Sequence, residues 1–186
     1  KALRKIDGKV IAVDCDHRAP ALYFADEFEI VPRINDENYI QILIEICNKY
    51  DIKGIISLID PELEILAKNE QIFDEKEIKL ILSPLKMVQI CFDKQETFNY
   101  LQNLSIPAVP TFDNLNDVMK LIKNKKFEFP FVVKPRKGSA SQGIFIAKNV
   151  NELEMVFNST EDMIIQPFFK DKEFGIDVYI DMNEGH

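Results

Sequence analysis

Apolar positions along this chain change period several times, and each change marks an element. Val10 to Val13, Glu29 to Val31, Gly54 to Leu58 and Lys79 to Leu82 are apolar runs of strand length. Between them, the stretch Asp36 to Tyr50 places Ile40, Leu43, Ile44 and Cys47 at i, i+3, i+4 and i+7, the spacing of one helix face. Pro61 to Asn69 reads as a second helix, with Asp60 as cap and Pro61 at the first helical position, and Ser83-Pro84 opens a third in the same way. Strand and helix in alternation predict a mostly parallel sheet with covering helices. The run Ile55-Ile56-Ser57-Leu58-Ile59 fits a strand buried on both faces.

The texture changes near Asp93. A helical stretch from Gln95 to Asn103 leads to Ile106-Pro107-Ala108-Val109-Pro110, where two prolines bar a helix and predict an extended connection. Another helix, Asn116 to Lys123, precedes the apolar run Phe131 to Pro135. A glycine–serine stretch follows, then a second apolar run, Ile144 to Ala147, so these two runs are expected to pair antiparallel across the loop. Asn149 with Glu152 has the spacing of a capping box at the start of a helix carrying Leu153, Val156 and Phe157. Two more strands are expected, Met163 to Gln166 and Phe174 to Asp181. The fold class is therefore α/β up to about residue 92, with an α+β segment over 93–186.

Composition narrows the function. With 46% hydrophobic and 29% charged residues the chain is a globular one rather than a disordered one. No apolar run approaches the roughly 20 residues that span a bilayer, and no secretory leader pattern opens the chain. The net charge of −8 disfavours nucleic acid and anionic membranes as partners. Cys15, Cys47 and Cys91 lack metal-site spacing and read as reduced core thiols of a cytoplasmic protein. The chain opens at Lys1 almost directly into one strand-like run and stops just after another, so it is read as a segment of a longer protein.

Three stretches carry chemistry. In Pro130 to Gly143, Lys134, Arg136 and Lys137 concentrate positive charge beside a loop of glycine and serine. Such a loop offers backbone N–H groups unobstructed by side chains, together with hydroxyls, which is what a phosphate needs. The lysine precedes the loop and a strand follows it, whereas a Walker A loop leads into a helix. A β-hairpin with a basic tip is the plainer alternative. The second stretch is Asp93-Lys94, with Asp93 suited to the N-cap and Glu96 at capping-box spacing. Lys94 then falls in the first turn, where the helix dipole disfavours a cation and an anionic ligand would offset that cost; a solvated, ion-paired lysine is the alternative. The third is Met163 to Phe169 with Glu173 beyond it, an apolar strand ending in an aromatic pair that could hold a flat base; a core strand and an edge carboxylate are the alternative.

Taken in this order, "CFDKQETFNYLQNLSIPAVPT", "FPFVVKPRKGSASQGIFIAKN" and "IIQPFFKDKEFGIDVYID", preceded by "VDCDHRAPALYFAD" and "ISLIDPELEILAKN", resemble the ATP-grasp superfamily. The match is nearest to proteins similar to the large subunit of carbamoyl-phosphate synthase. The resemblance implies a Rossmann-like pre-ATP-grasp domain over 1–92, lacking its usual first strand, and an incomplete ATP-grasp domain over 93–186. It implies that Lys94 and Lys134 hold ATP phosphates and that the loop Gly138, Ser139, Ala140, Ser141 to Gly143 closes over them. Gln166 takes the hinge position, the backbone at Phe168 and Phe169 reads adenine, and Glu173 binds ribose.

The function implied is a ligase that activates a carboxylate as an acyl phosphate for attack by an amine or similar nucleophile. ATP and a small-molecule carboxylate are its implied partners. Magnesium is its implied metal, with ligands expected beyond residue 186, and a homodimer is left open. Departures from the family pattern are glutamine in place of the usual glutamate at 166, Pro167 with no N–H, and Ala140 in place of a frequent glycine. Asp177 and Asp181 read as structural or ribose-side groups rather than metal ligands. His17 reads as a turn residue. Without a GxGxxG before Asp14, a dinucleotide enzyme is the weakest alternative; a non-catalytic nucleotide-binding module and a carbamoyl-phosphate synthase half-site are the nearer ones.

Overall fold

The computed structural model describes residues 8–138, 142–172, 174–176 and 178. They divide into two compact units, Lys1–Ala108 with Pro135–Gly143, and Val109–Lys134 with Ile144–His186.

In the first unit, strand β1 (Ile11–Asp14) pairs in parallel with β2 (Glu27–Ile30), and Ile11 faces Glu27 in the register. The intervening chain is too short for a full crossover helix and makes a 3-10 turn, Pro20–Phe24. Helix α1 (Tyr39–Tyr50) buries Tyr39, Leu43, Ile44 and Cys47, so the predicted spacing holds with Tyr39 in place of Ile40 as the deepest first-turn residue. Its end is set by Asp51, which adopts the left-handed conformation at φ 52° and donates its N–H to the Cys47 carbonyl.

Strands β3 (Gly54–Ile55) and β4 (Lys79–Leu80) form a second parallel pair. Among the described residues the first half thus holds two parallel strand pairs rather than one continuous sheet. Strand β3 is also shorter than expected. The Ser57 hydroxyl accepts from the Ile59 N–H at 3.3 Å and turns the chain, which leaves Ile56 and Leu58 62% and 87% exposed instead of buried on two faces.

Helices α2 (Asp60–Lys68), α3 (Glu70–Asp74), α4 (Leu85–Phe92) and α5 (Lys94–Asn103) complete the unit. Asp60 lies inside the first turn of α2, because Ile59 is the extended residue before it; an acidic first turn still suits the dipole. Ser83 does not cap α4 either: Pro84, extended at ψ 146°, is the N-cap and has no side-chain donor or acceptor to offer. The core joins Val31, Leu43, Ile44, Leu66, Phe73, Ile78 and Leu80. Of the three thiols only Cys47 is buried, and Cys15 and Cys91 are exposed.

The second unit is a three-stranded sheet in the order β6-β5-β7, formed by β5 (Phe131–Pro135), β6 (Phe145–Ala147) and β7 (Met163–Pro167). Strands β5 and β6 are antiparallel with Phe131 opposite Ala147, as the sequence predicts. Helix α6 (Leu115–Lys123) is capped by Asn114 and α7 (Val150–Ser159) by Asn149, whose side chain accepts from the Glu152 N–H at 3.0 Å. Val118 of α6, Leu153 of α7 and Phe131, Val133, Ala147 and Ile165 of the sheet are all fully buried and form the core. Phe174, Ile176 and Val178, expected in a strand, lie outside any strand and are exposed; an apolar run becomes a strand only where a neighbouring edge takes its N–H and C=O groups. No helix among the described residues is long and apolar enough to cross a membrane.

Candidate functional site

The start of α5 organises the polar centre of the first unit. Asp93 is extended, and its Oδ1 accepts from the backbone N–H groups of Gln95 at 3.0 Å and Glu96 at 3.1 Å, the cap that its sequence position predicts. Asp93 is buried, its side chain 7% exposed, and a buried carboxylate needs a countercharge. Arg136 supplies it: its Nε donates to Asp93 Oδ1 and Oδ2, both at 2.8 Å, and its Nη2 donates to Glu96 Oε1 at 3.1 Å. Burial pushes the Asp93 carboxyl up, but the Arg136 guanidinium and the two cap N–H groups outweigh it and hold the group below the ordinary aspartate range.

The same segment reaches Lys94. Its backbone N–H donates to the Arg136 carbonyl at 3.1 Å, and Asp93 and Lys137 form an antiparallel bridge. The Lys94 ammonium donates to the Gly138 carbonyl at 3.0 Å and to the Arg136 carbonyl at 3.3 Å. It is half-buried, and burial holds its pKa below the ordinary lysine value, although the Asp93 and Asp60 carboxylates pull it back up. Among the described residues the lysine is held by backbone carbonyls rather than by a direct ion pair. With Gly138 it lines one side of a cavity of about 390 Å³ whose other walls include Asp60, Leu63, Leu82 and Phe92.

Glycine is required at both described ends of the loop. Gly138 sits at φ +122°, a conformation that L side chains rarely adopt. Gly143 sits at φ +69°, and a Cβ there would meet Pro135 Cγ at 3.0 Å. Residues 142 and 143 form a turn, and strand β6 rather than a helix follows, so the geometry is not that of a P-loop. Ser139, Ala140, Ser141 and Glu173 lie outside the described residues, as do Asp177 and Asp181.

The remaining candidates belong to the second unit. Lys134 is half-buried on β5. Gln166 is half-buried on β7, where its Nε2 donates to Thr111 Oγ1 at 2.8 Å; Thr111 is itself buried, and its hydroxyl donates to the Val109 carbonyl at 2.9 Å. The Phe168 N–H donates to the Pro130 carbonyl at 3.2 Å, and Phe169 is 55% exposed. His17 lies in an exposed turn, as expected.

Sequence reasoning missed two things. The Asp93–Arg136 pair joins residues 43 positions apart, and only the demand of a buried cap for a countercharge could have hinted at it. The second is Glu62, which is buried in the first unit and accepts hydrogen bonds from the hydroxyls of Tyr39 and Ser57. Its i, i+4 spacing to the core residue Leu66 was the available signal.

Residues 1–81 match the PylC-like N-terminal domain and residues 92–181 the RimK-like ATP-grasp domain. The carbamoyl-phosphate synthase of Methanobrevibacter smithii is 24% identical over 173 residues, which is 90% of this chain and 45% of that protein. A D-alanine–D-alanine ligase of Fervidobacterium nodosum is 27% identical over 177 residues, 87% of this chain and 53% of that protein. Residues 92–181 thus carry the likeness to the ATP-grasp superfamily.

The chain's fold agrees. The N5-carboxyaminoimidazole synthetase of Staphylococcus aureus, solved with ADP, superposes with a TM-score of 0.64 at 19% identity, covering 91% of this chain and 43% of that one. An L-amino acid ligase from Bacillus licheniformis gives 0.61 at 20% identity, covering 88% and 39%. The chain thus spans about half the length of the curated relatives it matches.

Proposed function

We propose that this chain is the ATP-binding portion of an ATP-grasp ligase. In the reaction, a substrate carboxylate oxygen attacks the γ-phosphorus of ATP and the bond from that phosphorus to the β,γ-bridging oxygen breaks. ADP leaves and an acyl phosphate forms. An amine or similar nucleophile then attacks the acyl carbon, and inorganic phosphate departs with the C–O bond electrons. The observation that carries the reading is the Lys94 ammonium, held by the Gly138 and Arg136 carbonyls at the foot of a glycine-bounded loop. A partly desolvated cation in that setting is stabilised by a phosphate more than by water.

Lys94 and Lys134 bind phosphate oxygens in this reading, and the loop Gly138 to Gly143 covers them. At the hinge, Gln166 spends its amide N–H on Thr111, so its carbonyl end is oriented as an acceptor for the adenine amino group. Phe168 gives its N–H to Pro130, which leaves Phe169 to serve the adenine edge, with Glu173 on the ribose. The proposed division is 1–92 for the leading α/β domain and 93–186 for the ATP-binding part, which the two family matches support. Magnesium is the metal in this reading, with its ligands beyond residue 186; among the described residues no cluster of three His, Cys, Asp or Glu is placed to hold a metal ion.

Calorimetric titration of the full chain tests the site. Lys94→Ala and Lys134→Ala should each weaken ATP binding by about tenfold to a hundredfold, the equivalent of one charge-assisted bond. Adenosine should bind both variants like the parent. Parent-like ATP binding by both would remove the site from these residues. Phosphate release dependent on an added carboxylate and acceptor distinguishes a ligase from a nucleotide-binding module.

A further inference from the structure

We propose that Arg136 is a positioning residue for Lys94, setting the lysine for phosphate through the loop backbone rather than by touching the nucleotide. The inference rests on the reading of Lys94 as a phosphate ligand. Its ground is a closed ring of contacts. The Asp93 carboxylate fixes the first turn of α5 by capping it, and it grips the Arg136 guanidinium through both oxygens. The Arg136 side chain thereby pins its own backbone, and that backbone presents its carbonyl to both the N–H and the ammonium of Lys94. The Gly138 carbonyl, two residues on, holds the ammonium from the same segment.

A lysine side chain is a flexible stem with a compact charge, and much rotamer freedom must be given up before it can serve a ligand. Among the described residues, two of its three N–H donors are engaged by carbonyls of one pinned segment, and in this proposal the third serves an incoming oxygen. Preorganisation of this kind raises affinity by removing an ordering cost from the binding step. Arg136 is suited to the task because the two carboxylates it meets, Asp93 and Glu96, lie on the same helix start as Lys94. With its Nε and Nη2 held by these carboxylates, its contribution to ATP binding passes through the lysine.

A double-mutant cycle tests this, with ATP and adenosine affinities measured by calorimetry on the full chain. Arg136→Gln should weaken ATP about fivefold to tenfold, within the loss expected for Lys94 itself, and leave adenosine unchanged. In a Lys94→Ala background the same substitution should cost nothing further. Asp93→Asn keeps the cap acceptor and should reproduce the Arg136→Gln loss, which guards against a variant that merely misfolds.

Without nucleotide, Arg136→Gln should raise the Lys94 pKa, read by nitrogen NMR of the ammonium, as the segment that buries it loosens. Tighter ATP binding by Arg136→Gln, an undiminished loss in the Lys94→Ala background, or an unmoved Lys94 pKa would each overturn the positioning role. Parent-like ATP binding by Lys94→Ala would instead overturn the site reading beneath it.

Discussion

The foot of the glycine–serine loop and the three-stranded sheet of the second unit each tie together segments far apart in sequence, by opposite means. In the sheet, Phe131 and Ile165 are fully buried, as is Leu153 of α7, and a T-shaped contact of Phe129 with Phe131 at 5.2 Å extends the cluster. At the loop foot the ties are a helix cap, a guanidinium–carboxylate pair and lysine–carbonyl bonds, around a cavity. Apolar packing is non-directional and strong in sum, whereas polar ties fix orientation at a small net gain. On the proposed reading, the phosphate-binding groups sit where orientation matters and the apolar packing where it does not. That division can be broken at either end.

The largest effect should come from the sheet. Phe131→Ala removes a fully buried ring and its contact with Phe129, and should cost about 3–5 kcal/mol. Denaturant unfolding measures the loss, and hydrogen exchange should show it concentrated in the amides of β5 to β7. A loss under about 1 kcal/mol, the scale of one neutral hydrogen bond, would mean that packing does not carry this unit.

Asp93→Asn should cost less, about 1.5–3 kcal/mol at neutral pH, because the cap survives and only the charge of the Arg136 pair is lost. The pH dependence gives a sharper signature. The folded Asp93 carboxyl titrates below its ordinary value, so its contribution is fully present above about pH 4 and is lost as pH falls through the folded pKa. Lys94 acts in the other direction: its pKa is lowered by burial, so folding bears a cost at neutral pH that is relieved as pH rises towards the ordinary lysine value. Urea midpoints at neutral and strongly acid pH should therefore drop further in the parent than in Asp93→Asn. Parallel pH profiles would mean that this pair contributes no measurable stability.

The same contrast explains what could be read from the sequence. Local signals were legible: the caps of α5 and α7, the face of α1 and the antiparallel pairing of β5 with β6 all follow from spacing over a few residues. The family resemblance and the order of its motifs were legible for the same reason, since each motif is continuous. Arg136 and Lys94 were visible as isolated charges, but not their mutual geometry, because an ion pair across 43 positions leaves no periodic trace. Strand β3 was overextended because the Ser57 turn defeats a run that looks continuously apolar. Gln166 was read as a ligand group, and its bond to Thr111, 55 residues away, was equally invisible.

The smallest expected effect makes the finest comparison, since Arg136 meets two carboxylates at once. Its bond to Asp93 involves a side chain only 7% exposed, whereas the Glu96 side chain is 51% exposed at 3.1 Å from Nη2. Charge and donor are shared, so the difference lies in the solvent around each acceptor. Water screens the Glu96 carboxylate and gains it back as a partner when the bond opens, while the buried one has no such recourse. Glu96→Gln should therefore change stability by about 0–1 kcal/mol, and added salt should erase what difference there is. The cap bond from the Glu96 backbone N–H to Asp93 survives in this variant, so helix α5 is unaffected. Urea unfolding at low and high salt, run beside Asp93→Asn, measures both pairs in one experiment. A Glu96→Gln loss as large as that of Asp93→Asn, persisting at high salt, would show that burial does not rank these two bonds.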